Sequence, residues 1–219
     1  MKNLFSTSIG KKFAMAISAI FLMIFLLQHF IINITSVFSE EIFNMLSHFM
    51  GTNPLVQFIL QPILIAGVLF HFIMGFYLEI QNRKAAKYEY QKEKGSANST
   101  WMSRNMITSG LVILAFLVLH FIDFWVPEMN YKYIEFLPED PNRYYEELVH
   151  KFENPLRVAM YCISFVLLAL HLLHGFTSSL RSMGTNKSYV SSAKTAGIIY
   201  SIGIPLGFCV IAIFHYLNH

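Results

Sequence analysis

Five long apolar runs without a charged residue constrain this chain more than any other feature. They cover approximately residues 13–33, 55–78, 105–122, 158–180 and 195–217. A helix rises about 1.5 Å per residue, so about 20 apolar residues cross a bilayer core of about 30 Å. Only 13% of the residues are charged, about half the usual share in soluble domains. We therefore expect an all-α membrane protein in which residues 1–219 form one domain with five transmembrane helices.

The charges between these runs predict the orientation. With the N-terminus in the cytoplasm, the inner segments carry 12 Lys and Arg and 3 acidic residues, while the outer segments carry 4 and 10. Basic residues in short loops favour the cytoplasmic side. The expected topology therefore has the N-terminus inside and the C-terminus outside.

The outer segments contain two further helix signals. In residues 34–54, Ser39 precedes two glutamates and is expected to cap a short surface helix. Residues 124–157 are interpreted as a long connection with a short helix near 142–152. The only two cysteines, Cys162 and Cys209, lie in apolar runs, which excludes a disulfide framework and a thioether-linked haem.

Each of the first four runs contains a histidine that is a candidate ligand. His29 and His120 lie roughly 27 and 24 Å from the basic residue at the inner end of their helix, and His71 and His171 about 18 and 15 Å. Ionisable residues inside a membrane are costly and mark functional sites. We expect an outer pair and an inner pair inside a four-helix bundle formed by the first four helices.

His174 is the rival of His171 as the fourth ligand. The matched depth and the His-x-x-x-Gly spacing at 71–75 and 171–175 favour His171. The other histidines lie in outer segments or at the outer end of the fifth run, and we interpret them as hydrated surface residues: His48, His150, His215 and His219.

Two imidazoles per centre, with no thiolate and no nearby carboxylate, favour iron in a six-coordinate haem over zinc. Two such haems at different depths would conduct electrons across the bilayer. The first four runs contain no Asp, Glu, Lys or Arg, and Asp123 directly follows the third run at its outer end. This absence argues against a transporter.

Two serines repeat the histidine spacing. Ser18 precedes His29, and Ser109 precedes His120, by 11 residues. Eleven residues make about three helical turns, so each hydroxyl is expected at the inner level, where it contacts the inner cofactor. The alternative is a hydrogen bond to a carbonyl of its own helix.

Polar residues near the helix ends are weaker candidates. Arg104 and Arg181 on the inner side are possible partners of haem propionates, although basic residues there also set topology. Gln28, Asn33 and Asp123 lie near the outer pair. They are possible quinone contacts, or caps of helix ends.

The chain resembles the cytochrome b membrane anchor of succinate:quinone oxidoreductases (succinate dehydrogenase or fumarate reductase), in the five-helix, two-haem class. The resemblance extends over nearly the whole chain, in the motifs KKFAMA (11–16), QHFIIN (28–33), HFIMG (71–75), NRKA (82–85), SRNM (103–106), HFIDFW (120–125), HLLHGFTS (171–178) and YSIGIPLGF (200–208).

This resemblance implies a distal haem b on His29 and His120 and a proximal haem b on His71 and His171. It also implies the bacterial cytoplasmic membrane, menaquinone as the lipid-soluble substrate, and cytoplasmic partners: a flavoprotein with FAD and an iron–sulfur subunit. No nucleic acid is expected as a partner. Two alternatives remain, the di-haem anchor of a hydrogenase or formate dehydrogenase, and a non-redox transporter or scaffold with structural histidines.

Overall fold

The computed structural model describes residues 7–89, 105–184 and 187–218, without the side chains of 85–89 and 187–192. This part of the chain is helical and contains five helices long and apolar enough to cross a membrane. The helices are α1 (Ser8–Ile34), α2 (Glu40–Thr52), α3 (Gln61–Glu89), α4 (Met106–Tyr133), α5 (Arg143–Phe152), α6 (Pro155–Ser182) and α7 (Lys187–Asn218).

Side-chain caps fix several helix starts. Ser39 accepts a hydrogen bond from the backbone N–H of Ile42 at the start of α2, as the sequence predicts. Asn154 accepts from the N–H groups of Leu156 and Arg157, and Pro155 occupies the first turn of α6. These caps satisfy donors that have no partner within the helix. The short helix expected near 142–152 is present as α5.

The helix of the third span does not end near Asp123, and the interpretation of residues 124–133 as part of a connection is wrong. The helix is π-helical over Phe121–Trp125 and continues as an α-helix to Tyr133. A wider π turn two residues before Pro127 gives the proline ring room, so the proline does not end the helix. A second π turn, Val56–Leu60, lies two residues before Pro62 at the start of α3.

Helices α1, α3, α4 and α6 contact one another in a ring, and α7 packs along α6 and α1. A cluster of buried hydrophobic side chains lies at the end of the bundle that α2 and α5 cover. There, Phe43, Phe152, Tyr161, Phe165 and Phe208 belong to one buried cluster. This arrangement positions the bundle histidines along the ring and closes one end of it.

A charged cluster holds the covering segments together. Glu128 of α4 forms ion pairs with Lys132 and Arg143, and Lys132 also donates to the carbonyl of Gly51. The Arg143 guanidinium lies 4.1 and 4.4 Å from the ring centres of Tyr131 and Tyr144. Burial raises the pKa of Tyr144 to about 12. The hydrogen bonds from Arg143 to Glu128 and Glu147 outweigh its desolvation and raise its pKa above the ordinary value.

Candidate functional site

His71 of α3 and His171 of α6 face each other across the bundle. Their ring centroids are 6.5 Å apart, with an interplanar angle of 64°. Ser18 Oγ of α1 lies 3.1 Å from Nδ1 of His71, and Ser109 Oγ of α4 lies 3.1 Å from Nδ1 of His171. All four helices of the ring thus contribute to one level, which we name the serine level.

The serine contacts determine which ring nitrogen carries the proton. Ser18 Oγ donates to the carbonyl of Met15 at 2.8 Å, and Ser109 Oγ donates to that of Met106 at 2.9 Å. A hydroxyl has one proton. Both of its contacts are therefore satisfied only when Nδ1–H of the histidine donates to the serine. In that tautomer Nε2 carries a lone pair, which is the form that binds a metal.

His29 of α1 and His120 of α4 form the second pair, which we name the phenylalanine level. Their ring centroids are 5.8 Å apart at an interplanar angle of 86°. Phe25 stacks on His29 and Phe116 on His120, with centroids 5.5 and 5.9 Å apart. Because His29 follows Ser18 by 11 residues on one helix, the two levels are separated by about 16 Å along α1.

The polar surroundings of the two levels differ. Asn33 Nδ2 donates to the backbone carbonyl of His29 at 2.8 Å and lies 3.4 Å from its Nδ1. Nδ1 of His120 is buried and has no hydrogen-bond partner among the described residues. The phenylalanine level is thus enclosed by aromatic rings, and the serine level has a hydroxyl for each imidazole.

The separation of the ring centroids in both pairs is compatible with one metal ion between two imidazoles. Metal–imidazole bonds of about 2 Å on opposite sides of an ion place the ring centroids about 6 Å apart. Ordinary aromatic pairs occur at similar separations. The two serine contacts, which favour the Nδ1–H tautomer, are the more specific observation, because an aromatic contact does not require them.

The donor set fits haem iron. The part of the chain described here contains no group of three or more His, Cys, Asp and Glu side chains arranged to hold a metal ion. Each pair would supply two nitrogen donors to the iron, and a porphyrin would supply the other four itself. Around the serine level, a Cβ on Gly110 would approach Cε1 of His171 no closer than 3.8 Å, and one on Gly175 would lie 3.8 Å from Met106. Both distances are ordinary van der Waals contacts, so each glycine lies directly beside the side chains of this level.

His174 lies one turn beyond His171 and is half-buried. The ring contact of His71 across the bundle is with His171. Arg181 is exposed near the end of α6, and Arg104 lies outside the described residues. The assignment of propionate partners stays a prediction.

The three candidate quinone contacts have different partners. Gln28 is exposed and reaches Sδ of Met50 in α2, and Asn33 contacts His29. Asp123 is only 2% exposed. Its oxygens lie 2.8 Å from the hydroxyl of Tyr161 and 3.3 Å from Arg157. Gln28 and Asp123 thus hold separate interhelical contacts, and the structure does not bring these three residues into one pocket.

The interpretation of His215 as a hydrated surface residue is wrong. His215 is completely buried, and its Nε2 lies 2.9 Å from Oγ of Ser36. The segment after α1 folds back over the end of α7, and α5 brings Tyr145 against the ring, so a position near the sequence end of a span is enclosed. His150 is exposed as expected, His48 is half-buried, and His219 lies outside the described residues.

Several residues of the site escaped the sequence reasoning. Phe25 and Phe116 stack on their histidines from four residues earlier in the same helix, and Tyr161 lies 6.3 Å from the ring of His120. The repeated Phe-x-x-x-His spacing was the available signal for the two phenylalanines. The pairing of Tyr161 with Asp123 joins residues 38 positions apart and leaves no local pattern.

No protein-family model matches this chain, and neither a curated protein nor a solved structure matches it significantly. The family resemblance of the sequence motifs therefore stays an expectation, and the histidine geometry is the basis on which a function can be inferred.

Proposed function

We propose that this chain is the di-haem b membrane anchor of a succinate dehydrogenase or fumarate reductase, and that it passes electrons between cytoplasmic iron–sulfur and flavoprotein subunits and menaquinone. The single observation that carries the proposal is the pair His71 and His171. Their ring centroids are 6.5 Å apart, and the Nδ1 atom of each lies within hydrogen-bond distance of a serine hydroxyl. Haem iron supplies one-electron chemistry, which imidazole, thiolate or thioether ligands tune.

The residues of the chain have separate tasks in this proposal. His71 and His171 hold the inner haem, and His29 and His120 hold the outer one. Phe25 and Phe116 pack on the outer imidazoles and restrict their rotation. Apolar walls exclude water, which limits the reorganisation of charge during electron transfer.

Exposed basic residues favour a soluble partner at the serine-level end. Lys12 at the start of α1, Arg83 and Lys84 near the end of α3, and Arg181 near the end of α6 are exposed. These termini meet at one end of the antiparallel bundle. A cationic surface attracts an acidic protein face and raises its association rate. In the proposal this surface receives the iron–sulfur subunit.

The deciding experiment is a reduced-minus-oxidised spectrum of the affinity-purified complex, combined with mass spectrometry of co-purifying subunits. We expect two b-type haems per chain, reduction of haem by succinate or oxidation by fumarate, and a flavoprotein with an iron–sulfur partner. Absence of b-type bands would remove the haem assignment. Haem together with a hydrogenase or formate dehydrogenase subunit would instead identify the alternative respiratory complex.

A further inference from the structure

We propose that Ser18 and Ser109 are paired positioning residues that lower the reduction potential of the haem held by His71 and His171. This inference depends on the proposed function, because it requires haem at that level. It goes further by assigning the tuning of one centre to two hydroxyl groups that do not bind the iron.

The two serines occupy equivalent places in a structural repeat. Residues 15, 18, 25 and 29 of α1 have counterparts 91 positions later in α4, where Met, Ser, Phe and His recur in the same order. His71 and Gly75 have counterparts 100 positions later. In each copy of the repeat, the serine of one transmembrane helix contacts the histidine of the following transmembrane helix. The contacts run from α1 to α3 and from α4 to α6.

Each hydroxyl is held in place by its own helix. The bonds from Ser18 to the Met15 carbonyl and from Ser109 to the Met106 carbonyl fix the direction of the serine proton. The methionine side chains pack toward the glycines after the histidines, with Cε 3.5 Å from a Cβ built on Gly75 and 3.8 Å from one on Gly175. A fixed acceptor therefore faces each Nδ1–H.

The direction of the effect follows from ligand basicity. An imidazole whose N–H donates to an acceptor is a stronger electron donor through its other nitrogen. A stronger donor stabilises ferric iron more than ferrous iron, so the reduction potential falls. Few other polar groups compete in the low dielectric of the bundle, which strengthens the hydrogen bond.

The phenylalanine level supplies an internal comparison. It lies about 16 Å away along α1, and His120 Nδ1 has no hydrogen-bond partner in the part of the chain that the structure describes. A change at Ser18 or Ser109 is therefore expected to affect one haem and leave the other unchanged.

The test is a spectroscopically monitored redox titration of the purified complex carrying Ser18→Ala, Ser109→Ala or both. The titration should show two haem transitions. Each single variant should raise the midpoint potential of one of them, and it should be the same transition in both variants. Loss of an outer-shell partner typically costs tenfold or more in metal affinity. A tenfold weaker preference for ferric over ferrous iron corresponds to a rise of about 59 mV for a one-electron couple. The double variant should show a larger shift. Ser18→Thr and Ser109→Thr keep the hydroxyl and should restore the wild-type value.

Ser179→Ala is the matched control, because Ser179 is buried on α6 and donates to the Gly175 carbonyl at 2.8 Å. The inference would be overturned if the midpoint potentials of Ser18→Ala and Ser109→Ala shifted no more than that of this control. It would also be overturned if the two variants shifted the potentials of different haems. If one alanine variant does not assemble, the other and its threonine counterpart carry the comparison. A wild-type complex without b-type haem would refute the proposed function, whereas two haems with unshifted potentials would refute only this inference.

Discussion

The hydroxyl of Tyr161 donates a 2.8 Å hydrogen bond to the carboxylate of Asp123, which is 2% exposed and also pairs with Arg157. The bond joins α4 to α6 beside His120. The π turn that begins after His120 contains Asp123. An irregular turn next to a candidate ligand thus carries a contact that holds two of the bundle helices together.

Removing this hydroxyl should destabilise the fold. Hydrogen bonds to charged groups contribute about 1.5–3 kcal/mol, so Tyr161→Phe is expected to lower the free energy of unfolding by about that amount while keeping the ring packing. The measurement is thermal unfolding in detergent. Tyr133→Phe is the control, because its hydroxyl bonds to Gln57 at an exposed site. Equal effects of the two variants would contradict the prediction.

The buried contact between Ser36 and His215 should respond to loss of the serine. Ser36→Ala leaves the buried imidazole without the hydroxyl 2.9 Å from its Nε2, and we expect a loss of about 1–3 kcal/mol in unfolding free energy. Thr35→Ala, next to it, removes only a bond to the Ile32 carbonyl. Denaturation curves of the two variants should separate clearly, and coinciding curves would show that the His215 contact contributes nothing.

Gly207 is required by the packing of α7 on α1. A Cβ at this position would overlap the ring of Phe30, whereas one at Gly203 meets nothing within 4 Å. Gly207→Ala should cost about 1–3 kcal/mol through overpacking. Gly203→Ala should be neutral or stabilise by up to about 1 kcal/mol, because alanine favours the helix. The melting temperatures of the two variants test these expectations. A melting temperature of Gly203→Ala below that of Gly207→Ala would contradict them.

Alanine substitutions of the histidines should distinguish the ligands. His171→Ala is expected to remove one of two haems, because His171 is the residue opposite His71. His174→Ala should retain both. Haem quantification by the pyridine haemochrome method gives the result. Loss of haem from the His174 variant alone would mean that the ligand assignment on α6 is wrong.

The proposed orientation is testable with single cysteines introduced after Cys162 and Cys209 have been replaced by serine. Glu139 and Lys84 are both exposed and lie at opposite ends of the bundle. A membrane-impermeant maleimide should label Glu139→Cys in intact cells and Lys84→Cys only after permeabilisation. The reverse pattern would place the N-terminus outside and exclude a cytoplasmic partner at the basic end.

The sequence predicted the five membrane helices because length and the absence of charge are local properties, and the bilayer imposes one length scale on every span. It also predicted the cap Ser39 and a short helix near 142–152, which the structure shows as α5. The prediction was wrong at residues 124–133, which were interpreted as part of a connection. The helix continues through a π turn at Phe121–Trp125 and past Pro127 to Tyr133. A change in helical winding has no clear compositional signal.

By itself, the sequence indicated which residues could meet: a candidate ligand histidine in each of the first four spans, at two depths, and serines three turns from two of these histidines. Only the tertiary structure decided the partners of those residues. It places each serine on the imidazole of a neighbouring helix and buries His215 under a folded-back segment. The physical reason is that helical periodicity fixes depth and face along one helix, whereas the choice of the facing helix depends on how all the side chains pack together.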